Sequence, residues 1–398
     1  AKVFRHIKTG AEIVSLENDD ENKCFGITFV TPPPDDTGLP HIMEHSVLCG
    51  SRKYPSKDPF FELVKGSLAT FINAMTFSDK TVYPVASQNT KDFYNLVDVY
   101  LDAVFNPNIT PDTLKQEGWH YDMESADGEM EYKGVVFNEM KGFYSSPDQV
   151  LYLETGTSLF PDNLYGANSG GNPQAIPDLS YEQFKAFHET YYHPSNARIF
   201  FYGDDNPEER LKLLDTYLNE FEHKDIPNPF APHPEFSEPR RVTIPFDAGE
   251  DADGKALVTV NWALPDPLNV ERTLSLQVLY QILLGSPASP LYKALLDSEL
   301  GEDIAGLGLD TDAYQMIFST GMRGVALEDA GKVEETILET LQGLVKDGID
   351  PLEIEAAMNT YEFSLREYNT GGFPRGLAMM FTSLSSWLYG GDPLAPLS

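Results

Sequence analysis

Apolar and polar positions alternate or run in short blocks through the first thirty residues. Residues 2–8, 11–17 and 24–31 are apolar or alternating stretches separated by polar turns, the pattern of antiparallel strands. The loop PPPDDTGLP then introduces a helix, with Asp36 or Thr37 as the expected N-cap and Gly50 as the residue just past its end. PFFELVKG reads as a short helix, LATFINAMT and KTVYPVA as strands, and DFYNLVDVYLDAVF as a long amphipathic helix. EYKGVVFNEMKGF reads as a further helix and RIFFYG as a strand. Residues 223–241, rich in proline and nearly free of periodicity, form the best linker. Beyond them the order begins again, with strands VTIPF and LVTVNWAL, a PDP turn and the helix ERTLSLQVLYQILLG.

This order predicts an α+β protein of two similar domains, each a mostly antiparallel sheet packed with helices on one side. The boundaries are 1–222, a linker at 223–241, and 242–398. A chain of 398 residues exceeds what one core usually supports. The segments 26–51 and 257–286 both run from strand to proline turn to helix and close on Leu-x-Gly-Ser, a faint duplication of the whole domain. Aligning Gly50 with Gly285 sets Leu276, Leu279 and Tyr280 against His41, Glu44 and His45. The second copy is therefore expected to lack a metal.

The chemistry concentrates in HIMEH, His41 to His45. Histidines four apart on a helix share a face, and Glu44 lies beside them. Such a face can hold zinc with two imidazoles and keep a carboxylate ready to take a proton from water. The spacing H-x-x-E-H is that of the inverted zincins. Catalytic zinc usually has a third protein ligand. Glu139, on the helix whose apolar stripe is Val136, Met140 and Phe143, is the first choice, and a solvent-facing role is the competing one. His120 is its nearest rival, and Glu117 could orient a ligand histidine. His188 and His193 are five apart with Pro194 breaking the helix, so they read as structural.

A net charge of −34 argues against a nucleic-acid partner and suits cationic peptides, or simply a very soluble surface. No apolar run approaches a membrane span. Two cysteines, Cys24 and Cys49, point to a reducing compartment. That compartment is the bacterial cytoplasm, or the mitochondrial matrix in a eukaryote. Cys49 reads as core packing.

The run from TPPPDDTGLPHIMEHSVLCG through TFSDKTVYPVAS resembles the presequence-protease branch of the pitrilysin/insulinase family of zinc metallopeptidases. QEGWHY, YKGVVFNEMKG, SGGNPQAIPDLSYEQF and YYHPSNARIF share that resemblance. It implies a processing-peptidase-like metallohydrolase fold, with one zinc held by His41, His45 and Glu139 and with Glu44 as general base. It also implies that peptide adds as a strand along Phe71, Ile72, Asn73, Ala74 and Met75. Several members carry a supporting glutamate seven residues before the third ligand, where this chain has Tyr132. The expected activity is endopeptidase cleavage of short unstructured peptides. The chain corresponds to the N-terminal half of such an enzyme and is expected to be weakly active without the C-terminal half. A non-catalytic core subunit and a specific precursor-processing peptidase are the alternatives.

Overall fold

Strands Lys23–Val30 and Lys80–Ser87 are buried at every residue, and the first unit of the molecule is built outward from them. The computed structural model describes residues 1–56, 59–125, 127–247 and 254–397. The two strands pair antiparallel with Ile27 opposite Tyr83 and lie inside a seven-stranded sheet. In order across the sheet the strands are Lys2–Arg5, Glu12–Glu17, Ala197–Gly203, Lys23–Val30, Lys80–Ser87 and Ala69–Ile72, with Met75–Thr76 also on Lys80–Ser87. Every pairing is antiparallel except that of Glu12–Glu17 with Ala197–Gly203.

Full burial of a strand requires cover on both faces. On one face Phe25 and Phe29 meet Phe201, Phe105 and Tyr192, beneath the helix Thr90–Phe105. On the other, Cys24, Val82, Ala86, Phe200 and Tyr202 pack with Leu377, Met380, Leu384 and Trp387 of the helix Arg375–Trp387. That helix lies close. A Cβ added to Gly26 would sit 2.1 Å from Met380 Sδ, a separation no side chain tolerates.

The second unit holds a three-stranded antiparallel sheet, in order Ala256–Ala263, Ile317–Val325 and Asp303–Asp310. Its main core joins Met322 and Val325 to Leu283 of Val270–Leu284, to Leu291 and Leu295 of Pro290–Asp297, and to Val333 and Ile337 of Ala330–Asp347. Strand Lys23–Val30 followed by helices Leu39–Val47 and Pro59–Gly66 has its counterpart in strand Ala256–Ala263 followed by Val270–Leu284 and Pro290–Asp297.

The two compact units are residues 1–142, 167–230 and 370–398, and residues 143–166 and 231–369. The expected division at 222 and 242 treats each domain as one continuous stretch, so the observed units differ from it in three places. Residues 223–230 stay with the first unit, where the His223 imidazole meets the Thr9 carbonyl at 3.0 Å. Residues 370–398 return to cover the first sheet, because its far face would otherwise expose apolar side chains. Residues 143–166, including the helix Pro147–Leu159, belong to the second unit. VTIPF is not a strand. Among the described residues no helix or strand lies between Leu218 and Ala256, and Val242 is 50% exposed. Pro245 interrupts any ladder there.

Candidate metal centre

The helix bearing His41 and His45 spans Leu39–Val47 and starts at Gly38, not at Asp36 or Thr37. Gly38 takes φ 68°, a left-handed conformation that glycine adopts freely. Closeness also demands glycine here, since a Cβ would lie 2.7 Å from the Gly170 carbonyl oxygen. The two acidic neighbours serve the loop instead. Asp35 accepts from the Thr37 backbone N–H at 2.9 Å, and Asp36 Oδ1 accepts from the Asn168 N–H at 2.8 Å. Ile42, Met43 and Val47 are fully buried, which turns the His41–His45 face outward from the core.

Hydrogen bonds settle the tautomers. His41 Nδ1 stands 3.1 Å from the Gly170 carbonyl oxygen, and a carbonyl only accepts, so Nδ1 carries the proton and Nε2 the free lone pair. His45 Nδ1 stands 3.4 Å from Glu117 Oε2, and the same logic frees its Nε2. These two nitrogens lie 3.8 Å and 3.7 Å from Glu139 Oε2. All three donor atoms fall within 4.8 Å of one another, the one grouping of three or more potential metal donors among the described residues. A pair of imidazole nitrogens and one carboxylate oxygen is the donor set of a catalytic zinc site, so the residues present fit the metal.

Glu139 sits on the helix Val135–Phe143, whose Val136, Phe137 and Met140 are buried. Its side chain is 55% exposed yet aims its carboxylate at both imidazoles. It is neither a core carboxylate nor one turned wholly to open solvent. Glu117, the last residue of the helix Pro111–Glu117, is buried. It accepts from Gln116 Nε2 at 2.8 Å and from Cys49 Sγ at 3.3 Å as well as from His45. Burial alone would raise its pKa, but the hydrogen bonds from His45, Gln116 and Cys49 bring it below the usual carboxylate range. Cys49 is therefore a donor to this carboxylate in addition to a packing residue.

Burial likewise opposes a charge on His45, yet the Glu117 hydrogen bond and the charges of Glu44, Glu117 and Glu139 outweigh it and raise its pKa. A pocket of carboxylates that attracts a proton also attracts a dication. Glu44 is 7% exposed and accepts from Thr76 Oγ at 2.6 Å. Sequence reasoning placed Thr76 at the end of a strand and missed this contact, which spans 32 residues and leaves no local signal. It missed the role of Gly170 for the same reason.

The remaining named residues lie elsewhere in the first unit. Ala69–Ile72 ends the sheet, paired on one side only, so Phe71 and Ile72 stand on an edge strand. The expected single strand LATFINAMT is broken, with Asn73 and Ala74 between Ala69–Ile72 and Met75–Thr76. Asn73 donates its N–H to the Pro84 carbonyl at 3.3 Å, and its own carbonyl accepts from Tyr100 Oη at 3.0 Å. Tyr132 packs against Trp119, Tyr121 and Phe137, and the carboxylate that meets His45 is that of Glu117. His120 bonds to the Lys115 carbonyl at 2.6 Å. His188 donates to the Val104 carbonyl, and burial pushes its pKa down to about 4. Burial does the same to His193.

A family model described as insulinase (peptidase family M16) matches residues 31–142, and one described as the peptidase M16 inactive domain matches 178–361. The first span contains His41, Glu44, His45 and Glu139. The chain is 54% identical to presequence protease 1, chloroplastic/mitochondrial, of Arabidopsis thaliana, over all of this chain and 37% of that protein. It is 45% identical to protein HypA of Clostridium perfringens, over 99% of this chain and 41% of that one. It thus spans about two fifths of the length of the curated relatives it matches. A protease from Helicobacter pylori shares the fold at TM-score 0.77 and 17% identity, covering 97% of this chain and 89% of that one. Pitrilysin does so at TM-score 0.67 and 16% identity, over all of this chain and 42% of its own. With donors, fold and relatives in agreement, the chain belongs to the pitrilysin/insulinase (M16) family, on its presequence-protease-like side.

Proposed function

We propose that this chain is the N-terminal, zinc-binding part of an endopeptidase that cleaves short unstructured peptides. The convergence of His41 Nε2, His45 Nε2 and Glu139 Oε2 beside Glu44 carries the reading. These three atoms would hold one Zn²⁺ per chain. Bound there, zinc polarises a carbonyl and brings the pKa of water toward neutrality. Gly170 and Glu117 keep both imidazoles in the tautomer that presents Nε2 to the metal. Glu44 takes the proton from the attacking water and delivers it to the departing amine.

Edge strand Ala69–Ile72 and the segment through Met75 offer backbone groups on which an extended peptide can add as a further strand. Backbone recognition tolerates many sequences, and a net charge of −34 favours cationic ones. Relatives named as presequence proteases act, by that name, on presequences, and this chain is assigned cationic, unstructured peptides. Since those relatives are more than twice as long, the C-terminal part of the enzyme is assigned the rest of the substrate grip. Hydrolysis by this chain alone is then slow. Bacterial cytoplasm, or the mitochondrial matrix in a eukaryote, suits two cysteines that form no disulfide.

Metal analysis should find one zinc per chain, removable by chelator together with hydrolysis of a fluorogenic peptide. Glu44→Gln should keep the zinc and lower turnover by about two to four orders of magnitude. Normal turnover by that variant would remove Glu44 from the role of base. Absence of stoichiometric zinc would favour a non-catalytic core subunit.

A further inference from the structure

We propose that Thr76 is the positioning residue for Glu44, and that through it the peptide-docking edge segment and the base are held as one unit. The inference rests on Glu44 being the base.

Glu44 is a nearly buried carboxylate, and a buried charge needs hydrogen-bond donors. Among the described residues its donor is Thr76, whose hydroxyl stands 2.6 Å from Oε2. An ionised carboxylate only accepts, so the Thr76 proton is committed to it. This bond occupies Oε2 and fixes the carboxylate about its last torsion, leaving Oε1 to exchange a proton.

Thr76 is itself held by the sheet. Met75 and Thr76 pair with Val82 and Thr81 on the buried strand Lys80–Ser87. Three residues earlier, Asn73 is tied inward to Pro84 and Tyr100, and Ala69–Ile72 forms the open edge. A peptide pairing with that edge presses on the same short segment that aims the base. The break between Ile72 and Met75 lets one stretch of chain serve both: its first part stays at the edge, and its last part turns a hydroxyl to the helix Leu39–Val47.

The test is Thr76→Val, which keeps shape and strand preference and removes the hydroxyl, set beside Thr76→Ser, which keeps the hydroxyl. Thr76→Val should bind one zinc per chain, lower kcat by about a hundredfold, and leave KM within about twofold of the parent. Thr76→Ser should restore kcat to within a few-fold. A crystal structure of Thr76→Val should show the Glu44 carboxylate rotated from its place, a result readable even where turnover is too slow to measure. The inference is overturned if Thr76→Val keeps the parent kcat, if the loss lies in KM or in zinc content, if serine does not rescue, or if the carboxylate stays in place. Glu44→Gln separates the two levels. An active Glu44→Gln defeats the base assignment itself, whereas an inactive Glu44→Gln beside a fully active Thr76→Val defeats only the role of Thr76.

Discussion

Two imidazoles four residues apart become metal ligands only when each is told which nitrogen to present. The Gly170 carbonyl does this for His41 and the Glu117 carboxylate for His45. Glu117→Ala should weaken zinc binding by about 10- to 100-fold with the fold intact, measured by competition with a chelating dye and by circular dichroism. Unchanged affinity would reduce Glu117 to a packing residue. His188 gives a pH prediction of the opposite kind. Its folded pKa of about 4 lies below the ordinary value of about 6.5, so the unfolded chain binds the proton more readily. The stability it contributes is complete above about pH 6.5 and is lost as the pH falls from there toward 4, by roughly 3 kcal/mol in all. Replacement by glutamine keeps a donor to the Val104 carbonyl and removes the titration. Urea midpoints of His188→Gln should therefore fall less over that interval than those of the parent.

Among elements, the helix Arg375–Trp387 has the largest consequence relative to its position in the chain. It closes the far face of the first sheet from the end of the sequence, with Trp387 2% exposed and its indole N–H donating to Glu12 at 2.6 Å. Trp387→Ala should cost about 3–5 kcal/mol and lower the denaturant midpoint at unchanged slope. A cost below 1 kcal/mol would show that this face is held by other contacts. The helix's destination is not legible in the sequence. Apolar spacing says that a face must be covered and is silent on which sheet, hundreds of residues away, does it. VTIPF is a different case: its composition favours a strand, yet Pro245 lacks the N–H that a ladder needs and Val242 is half exposed. At Asn73 and Ala74 the break in LATFINAMT comes from the Pro84 and Tyr100 contacts, which lie outside any local window.

For the molecule as a whole, a charge of −34 sets a field that acts on substrates before they dock. The KM for a lysine- and arginine-rich peptide should rise as salt increases from low to physiological ionic strength, while that of a neutral peptide of equal length stays nearly flat. Equal salt response for both would separate the charge from substrate choice. The second unit repeats the order of strand, helix and short helix, and aligning Gly50 with Gly285 would set Leu276 and Tyr280 against His41 and His45. Tyr280 packs at Gly308, so on that alignment an aromatic ring fills the helix face that in the first unit carries His41 and His45.

Sequence by itself determined the α+β class, the strands and helices that flank the HIMEH face, and that face itself; for Glu139 the pattern left a ligand and a solvent-facing role open, and the family resemblance favoured the ligand. Those follow from local spacing, since a helix places residues four apart on one side whatever lies around it, and from a motif whose parts are short. Tertiary structure decided the rest: Gly38 as helix start because Gly170 comes so near, Gly170 as the partner of His41, the contact that sets the sequence's candidate Glu117 against His45, Thr76 as donor to Glu44, and residues 370–398 as cover for the first sheet. Each of these is a contact between segments far apart in the chain. Such contacts arise because buried carboxylates, free imidazole nitrogens and apolar faces must find partners, and the chain's alternation of polar and apolar residues does not say where those partners are.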